Sequence, residues 1–94
     1  MKREAALDLA RTIITQDRQA THGAPENTFR TIAEFWSTYM TSKTGYSVLL
    51  TEYDVCALMV LFKMARVSVN PMHDDNWLDT IGYGALGAEM KDTL

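Results

Sequence analysis

The sequence predicts an all-α protein, a four-helix antiparallel bundle built as a single helical domain over residues 1–94. Apolar residues recur at steps of three and four along most of the chain, which is the spacing of one helix face. The connections between these segments are short and contain glycine or proline, which favours antiparallel helical neighbours. We expect a homo-oligomer, because a chain of 94 residues is only modestly stabilised by its own interior.

The first two helices follow from their apolar stripes. The first is predicted from Lys2 to about Ala20, and the glycine and proline of "QATHGAPEN" end it. The second is predicted from about Pro25 to about Met40. It has the cleanest helical period in the chain, and "TSKTGYS" follows it as a polar loop.

The last two helices have clear boundary signals. The third begins after Thr51, and Asp54 occupies the capping-box position three residues later. It is apolar on nearly every side as far as the break at Pro71, so it is expected to be the central helix, buried by its neighbours or by a second subunit. The fourth is predicted from about Asp75 to Met90, with Asp74 or Asp75 as its cap.

Composition limits the class of partner. The formal net charge is −3 and no long basic run occurs, so we expect no binding of long nucleic acid. The single cysteine, Cys56, lies in an apolar run and is expected to be a core residue of a protein from a reducing compartment. No stretch is long enough to span a membrane, and the default localisation is cytoplasmic, in the host cell if the protein is phage-encoded.

Charged residues on the third and fourth helices form the candidate site. Lys63 and Arg66 are three residues apart and share a face, as do Asp75 and Asp79, which are four apart. A hairpin of the two helices would bring these bases and acids together. One interpretation is an intramolecular salt-bridge cluster. The other is a pocket in which the two cations bind phosphate oxygens and the two carboxylates bind Mg²⁺.

Glycine and tyrosine accompany these acids. Gly82 lies on or near the face of Asp75 and Asp79, where a missing side chain lets either a neighbouring helix or a ligand approach. Tyr83 could stack on a base or close the core. Arg18 and His22, in the loop after the first helix, are expected at the rim of the same pocket.

Four stretches, "RQATHGAPENTF", "IAEFW", "KMAR" and "PMHDDNWLDTIGYGAL", resemble small phage and prophage proteins of unknown function over roughly residues 18–90. Those proteins resemble the all-α MazG-like nucleotide pyrophosphohydrolases, whose last core helix carries a similar D-x-x-x-D-x-x-x-Y element. This resemblance implies an oligomeric protein that acts on nucleotides with Mg²⁺. The sequence departs from the family's E-x-x-E and E-x-x-D pairs. Three residues after Glu34 the chain has Ser37, and three residues after Asp54 it has Ala57, so neither position carries the second acid.

The sequence therefore predicts a protein that binds a small phosphorylated nucleotide through Arg18, His22, Lys63, Arg66 and Tyr83, with Asp75 and Asp79 as metal ligands. Three functions remain open. The protein could be a nucleoside triphosphate pyrophosphohydrolase. It could instead be a non-catalytic anti-defence sponge that sequesters a nucleotide signal, or an inhibitor that binds a host protein through an apolar helix face.

Overall fold

A computed structural model describes residues 1–17 and 25–94 of the protein. Within those residues it contains four α-helices and no strand, which confirms the all-α fold class. The helices are α1 (Arg3–Thr12), α2 (Pro25–Thr44), α3 (Glu52–Val69) and α4 (Asp74–Met90). One π-helical turn, Ile13–Asp17, continues α1, and one 3₁₀ turn, Lys91–Thr93, follows α4.

Two predicted boundaries differ from the structure. α1 ends at Thr12 and becomes a π turn, where the hydroxyls of Thr12 and Thr15 donate to backbone oxygens four residues earlier and compete with the regular helix ladder. The predicted stretch beyond Asp17 lies outside the described residues. α2 does not end near Met40 but continues to Thr44, where Gly45 adopts a left-handed φ of 77° and closes the helix.

The start of α3 confirms the predicted capping box. The Asp54 N–H donates to Thr51 Oγ1 at 3.4 Å, and the Thr51 N–H donates to Asp54 Oδ2 at 2.8 Å. The predicted cap of α4 is wrong, because the N-cap position is His73 and its side chain makes no capping bond. Asp74 and Asp75 occupy the first turn instead, where a negative charge is favourable beside the helix N-terminus.

Helices α3 and α4 form an antiparallel hairpin, since contacts pair Cys56 with Met90 at one end and Arg66 with Asn76 at the other. We call the Cys56–Met90 end the closed end, because α2 packs on it. We call the Arg66–Asn76 end, which also carries the connecting turn, the open end, because a groove lies there. The main core lies at the closed end, where Phe29 and Ala33 of α2 pack with the hairpin. The core consists of Phe29, Ala33, Val55, Cys56, Tyr83, Leu86 and Met90.

Helix α1 packs against α4 at Gly82. A Cβ atom built on Gly82 would lie 2.7 Å from Cγ2 of Ile14, which is closer than real carbon atoms approach. Gly82 therefore admits a neighbouring helix, which is one of the two roles the sequence left open. Gly87 is similar, since a Cβ there would lie 3.3 Å from Cβ of Cys56.

The connection from α2 to α3 is an extended segment held by two hydroxyls of α2. Ser37 Oγ accepts the N–H of Leu50 at 2.8 Å, and Thr41 Oγ1 accepts the N–H of Val48 at 3.0 Å. Ser37 is buried and donates its own proton to the Ala33 oxygen at 2.6 Å. These bonds satisfy backbone groups that no strand partner reaches.

Helix α3 is less enclosed than its composition predicts. Val55 and Cys56 are its buried residues, whereas Leu58, Leu61, Phe62 and Val69 are exposed. Neighbouring helices of the same described chain do not surround it, because α2 covers its first turns and α4 covers one side. Its remaining apolar side faces solvent in the single chain. Burial by a second subunit, the other alternative, stays a prediction.

Candidate binding groove

The open end of the hairpin carries a groove of about 560 Å³ between the last turns of α3 and the first turns of α4. Its volume falls within the range of small-molecule sites, roughly 300–1,000 Å³. The lining side chains are Phe62, Ala65, Arg66, Val69, Asn70, His73 and Asn76. The groove therefore combines an apolar wall with one permanent cation, one imidazole and two amides.

Arg66 is the cation of the groove. Its Nε donates to Asn76 Oδ1 at 3.3 Å, and its guanidinium carbon lies 5.8 Å from the centre of the Phe62 ring. The ion pairs in the described part of the chain are Arg30–Glu52, Lys63–Asp79 and His73–Asp75, so Arg66 has no carboxylate partner there. Its charge is oriented by a neutral amide, and no carboxylate among the described residues neutralises it.

Lys63 is placed differently from Arg66. Its Nζ lies 2.8 Å from Asp79 Oδ2, and both side chains are largely shielded from solvent. This pair joins α3 to α4 beside the groove and fulfils the salt-bridge interpretation for these two residues. Lys63 is outside the groove lining, although its Nζ approaches the Phe62 ring within 5.8 Å.

The two predicted metal ligands have separate cationic neighbours. Asp79 pairs with Lys63, while Asp75 Oδ2 lies 3.8 Å from Nε2 of His73, an ion pair only when His73 is protonated. Among residues 1–17 and 25–94, no three histidine, cysteine, aspartate or glutamate side chains are grouped so that they could hold a metal ion. The arrangement does not fit a preformed Mg²⁺ cage, and metal binding by Asp75 and Asp79 stays a prediction.

Tyr83 belongs to the core at the closed end. Its ring is buried and stacks on Phe29, with ring centres 6.1 Å apart and planes inclined by 30°. The edge of Tyr83 also borders a second, smaller groove of about 300 Å³ beside Gly84 and Ala88. Of the two roles predicted for Tyr83, its packing is that of a core residue, and Tyr83 does not line the open-end groove. Arg18 and His22, the predicted rim residues, lie outside the described part of the chain.

Cys56 is a core residue, as the sequence predicts. Its thiol donates to the Met90 sulfur at 3.6 Å, and burial raises the pKa of the thiol from 9.0 to about 11. The side chain is therefore a neutral thiol at physiological pH. It serves packing between α3 and α4.

Of the seven lining residues of the groove, the sequence predicted only Arg66 as a site residue. It missed Phe62, Ala65, Val69, Asn70, His73 and Asn76. The amides and the histidine come from the segment "NPMHDDN", which contains the turn between α3 and α4. Polar side chains concentrated at a helix–helix turn were the signal that could have found them, because such a turn brings both helix ends together. Phe62 carries no local sign of exposure.

The structure thus defines an all-α protein with an exposed helical hairpin and a mixed apolar and cationic groove. Residues 5–91 match the family described as a domain of unknown function (DUF6378), and the chain belongs to that family. It is 32% identical over 80 residues to the "Gene 55 protein" of Mycobacterium phage D29, covering 85% of this chain and 49% of that protein. It is 33% identical over 85 residues to the "Gene 55 protein" of Mycobacterium phage L5, covering 90% of this chain and 51% of that protein.

These comparisons confirm the resemblance to phage proteins, and the more distant MazG-like resemblance stays a prediction. The chain spans about half the length of the two curated relatives it matches. No solved structure matches it. In the described residues, none of the helices has the length and hydropathy to cross a bilayer.

Proposed function

We propose that the open-end groove binds a small phosphorylated nucleotide and retains it without hydrolysis. The observation that carries this proposal is Arg66, a groove-lining cation that is oriented by Asn76 and has no carboxylate partner in the described chain. A guanidinium held by a neutral amide keeps its charge and its outer N–H groups for an anion. Phosphate is the anion that this geometry suits.

The apolar wall supports an aromatic ligand rather than inorganic phosphate. The Phe62 ring is half exposed and lies beside the Arg66 guanidinium, so a base stacked on the ring would place its phosphate near the cation. Asn70 and Asn76 provide amide donors and acceptors for base or ribose edges. The groove volume accommodates one nucleotide.

The carboxylates favour retention over turnover. A Mg²⁺-dependent pyrophosphohydrolase needs carboxylates that converge on a metal, as the resemblance implies for Asp75 and Asp79. In this fold the two acids have different neighbours, since Asp79 pairs with Lys63 and Asp75 faces His73. The non-catalytic anti-defence sponge is therefore the form of nucleotide binding that the geometry supports better.

The test is a nucleotide panel with and without Mg²⁺, measured by calorimetry, followed by analysis of free and heat-released ligand. We expect an intact nucleotide to be retained and the affinity to be independent of Mg²⁺. Arg66→Ala should weaken binding about 10- to 100-fold, since a charge-assisted hydrogen bond is worth about 1.5–3 kcal/mol. Arg30→Ala is the matched control, because Arg30 pairs with Glu52 and lies outside the groove.

Asp75→Asn separates the two roles of the acid. If Asp75 only faces His73, removing its charge should tighten the binding of an anion, because a like charge leaves the neighbourhood of the groove. If Asp75 holds Mg²⁺, the same change should weaken Mg²⁺-dependent binding. Product release, or an Arg66→Ala variant that binds as well as wild type, would contradict the proposal.

A further inference from the structure

One face of α3 is apolar and exposed along most of the helix. Leu58, Leu61, Phe62, Ala65 and Val69 follow one another at steps of three, one, three and four, so they lie on a single face, which we call the α3 stripe. Leu61 is 64% exposed and Val69 is 86% exposed. None of the five residues carries a charge.

The chain exposes more surface than a monomer of its size. Its accessible surface is 6669 Å², whereas the size scaling of monomeric proteins gives about 5,500 Å² for 10.6 kDa. The radius of gyration is 14.5 Å, and a compact domain of this length would have about 12 Å. The excess of about 1,200 Å² is spread over the whole chain and exceeds the ~800 Å² that one partner contributes to a standard interface. The exposed α3 stripe supplies part of it.

The interior is small in the described chain. Val55 and Cys56 are its largest fully buried side chains, and the main core lies only at the closed end. A chain with this interior would be stabilised by a partner that is present whenever it folds. A second copy of the same chain meets that condition.

We propose that the α3 stripe is the interface of a homodimer, in which it packs antiparallel against the stripe of a second copy. Two-fold symmetry requires a surface that is complementary to itself. The α3 stripe satisfies this because its five residues are uncharged, so no like charges face each other within the stripe itself, and Arg66 lies beside it. Its small residue, Ala65, offers space for a large side chain such as Leu61 of the second copy.

The dimer would also close the groove. Phe62, Ala65 and Val69 belong both to the α3 stripe and to the groove lining, so a second copy on the stripe supplies a wall that one chain lacks. This part of the inference rests on the proposed function. It assigns the nucleotide to a site between two subunits, with the two Arg66 residues close to the same interface.

The test is the mass in solution of the full chain without ligand, by light scattering and sedimentation at micromolar concentration. We expect wild type at twice 10.6 kDa and Leu61→Lys at 10.6 kDa. Leu7→Lys is the matched control, because Leu7 is a similarly exposed leucine on α1, and it should remain dimeric. Val69→Lys, near the end of α3, provides a second variant if Leu61→Lys does not fold.

A wild-type monomer would overturn the proposal, as would Leu61→Lys and Val69→Lys variants that both remain dimeric. Ligand binding is measured separately on the same variants. A dimer that binds no nucleotide would contradict only the proposed function. A folded monomeric variant that binds nucleotide as tightly as wild type would contradict only the closure of the groove.

Discussion

The two ends of the α3–α4 hairpin hold the same two helices together by different means. At the closed end, Gly87 lets α4 approach Cys56, and α2 covers the contact with Phe29. At the open end, the helices are joined by Lys63–Asp79 and Arg66–Asn76, and a groove lies beside these contacts. Close packing supplies stability but leaves no room, whereas directional polar bonds leave a groove and an apolar face exposed.

The largest difference in the free energy of unfolding should appear between removal of a buried and of an exposed phenylalanine of α2. Phe29 is buried in the core and stacks on Tyr83, so Phe29→Ala should lower the free energy of unfolding by about 3–5 kcal/mol. Phe35→Ala, on an exposed side of the same helix, should change it by less than about 0.5 kcal/mol. Urea denaturation at matched protein concentration measures both, and equal losses would remove the distinction between core and surface.

The open end should show a smaller effect, carried by its ion pair. Lys63→Ala leaves the partly shielded Asp79 carboxylate without its cation, and we expect a loss of about 1–2 kcal/mol, between values for exposed and buried pairs. A double-mutant cycle of Lys63 and Asp79 should give a larger coupling energy than one of Arg30 and Glu52, where the arginine is exposed. Equal coupling energies would mean that shielding at the open end contributes nothing.

Two glycines of α4 should respond in opposite directions. Gly82→Ala brings a methyl group against Ile14 of the π turn that continues α1, and we expect a net loss of about 1 kcal/mol. Gly84→Ala meets nothing within 4 Å, so it should gain up to about 1 kcal/mol from helix propensity alone. Thermal unfolding of the two variants gives the comparison, and a stabilised Gly82→Ala would show that α1 yields easily.

Ionisation of Cys56 should have the smallest effect on stability, because it does not occur at neutral pH. The thiol has a pKa of about 11 in the fold against 9.0 as a free group, so its contribution to stability is complete below pH 9. That contribution is lost as the pH rises from 9 towards 11, because only the unfolded chain ionises readily. The stability of wild type should therefore fall more steeply than that of Cys56→Ala across this range, and parallel pH profiles would contradict the burial of the thiol.

Local signals in the sequence predicted most of the helices and few of their contacts. Thr51 and Asp54 placed the start of α3 correctly, because a capping box depends only on neighbouring residues. Lys63 and Asp79 were predicted to meet as part of a four-residue cluster. Asp75 turned to His73 instead, since the register of the hairpin decides which acid faces which base.

Exposure could not be predicted in the same way. The composition of α3 indicates burial on every side, but which sides are covered depends on where α1 and α2 pack. Phe29 has the polar neighbours Thr28 and Arg30 and yet lies in the core, whereas Phe62 follows Leu61 in an apolar run and lines the exposed groove. The groove itself arises from the crossing of two helix ends, which no single segment encodes.

The hydroxyls of Ser37 and Thr41 bind main-chain N–H groups of the segment before α3, as a neighbouring strand would, and these bonds do not involve the side chains of that segment. The side chains of Tyr46 and Leu49 are exposed and take no part in these two bonds, so they can be exchanged without disturbing the attachment. An added or deleted residue would move the Leu50 N–H out of register with Ser37 Oγ. The attachment therefore constrains the length of the linker more than the identity of its exposed side chains.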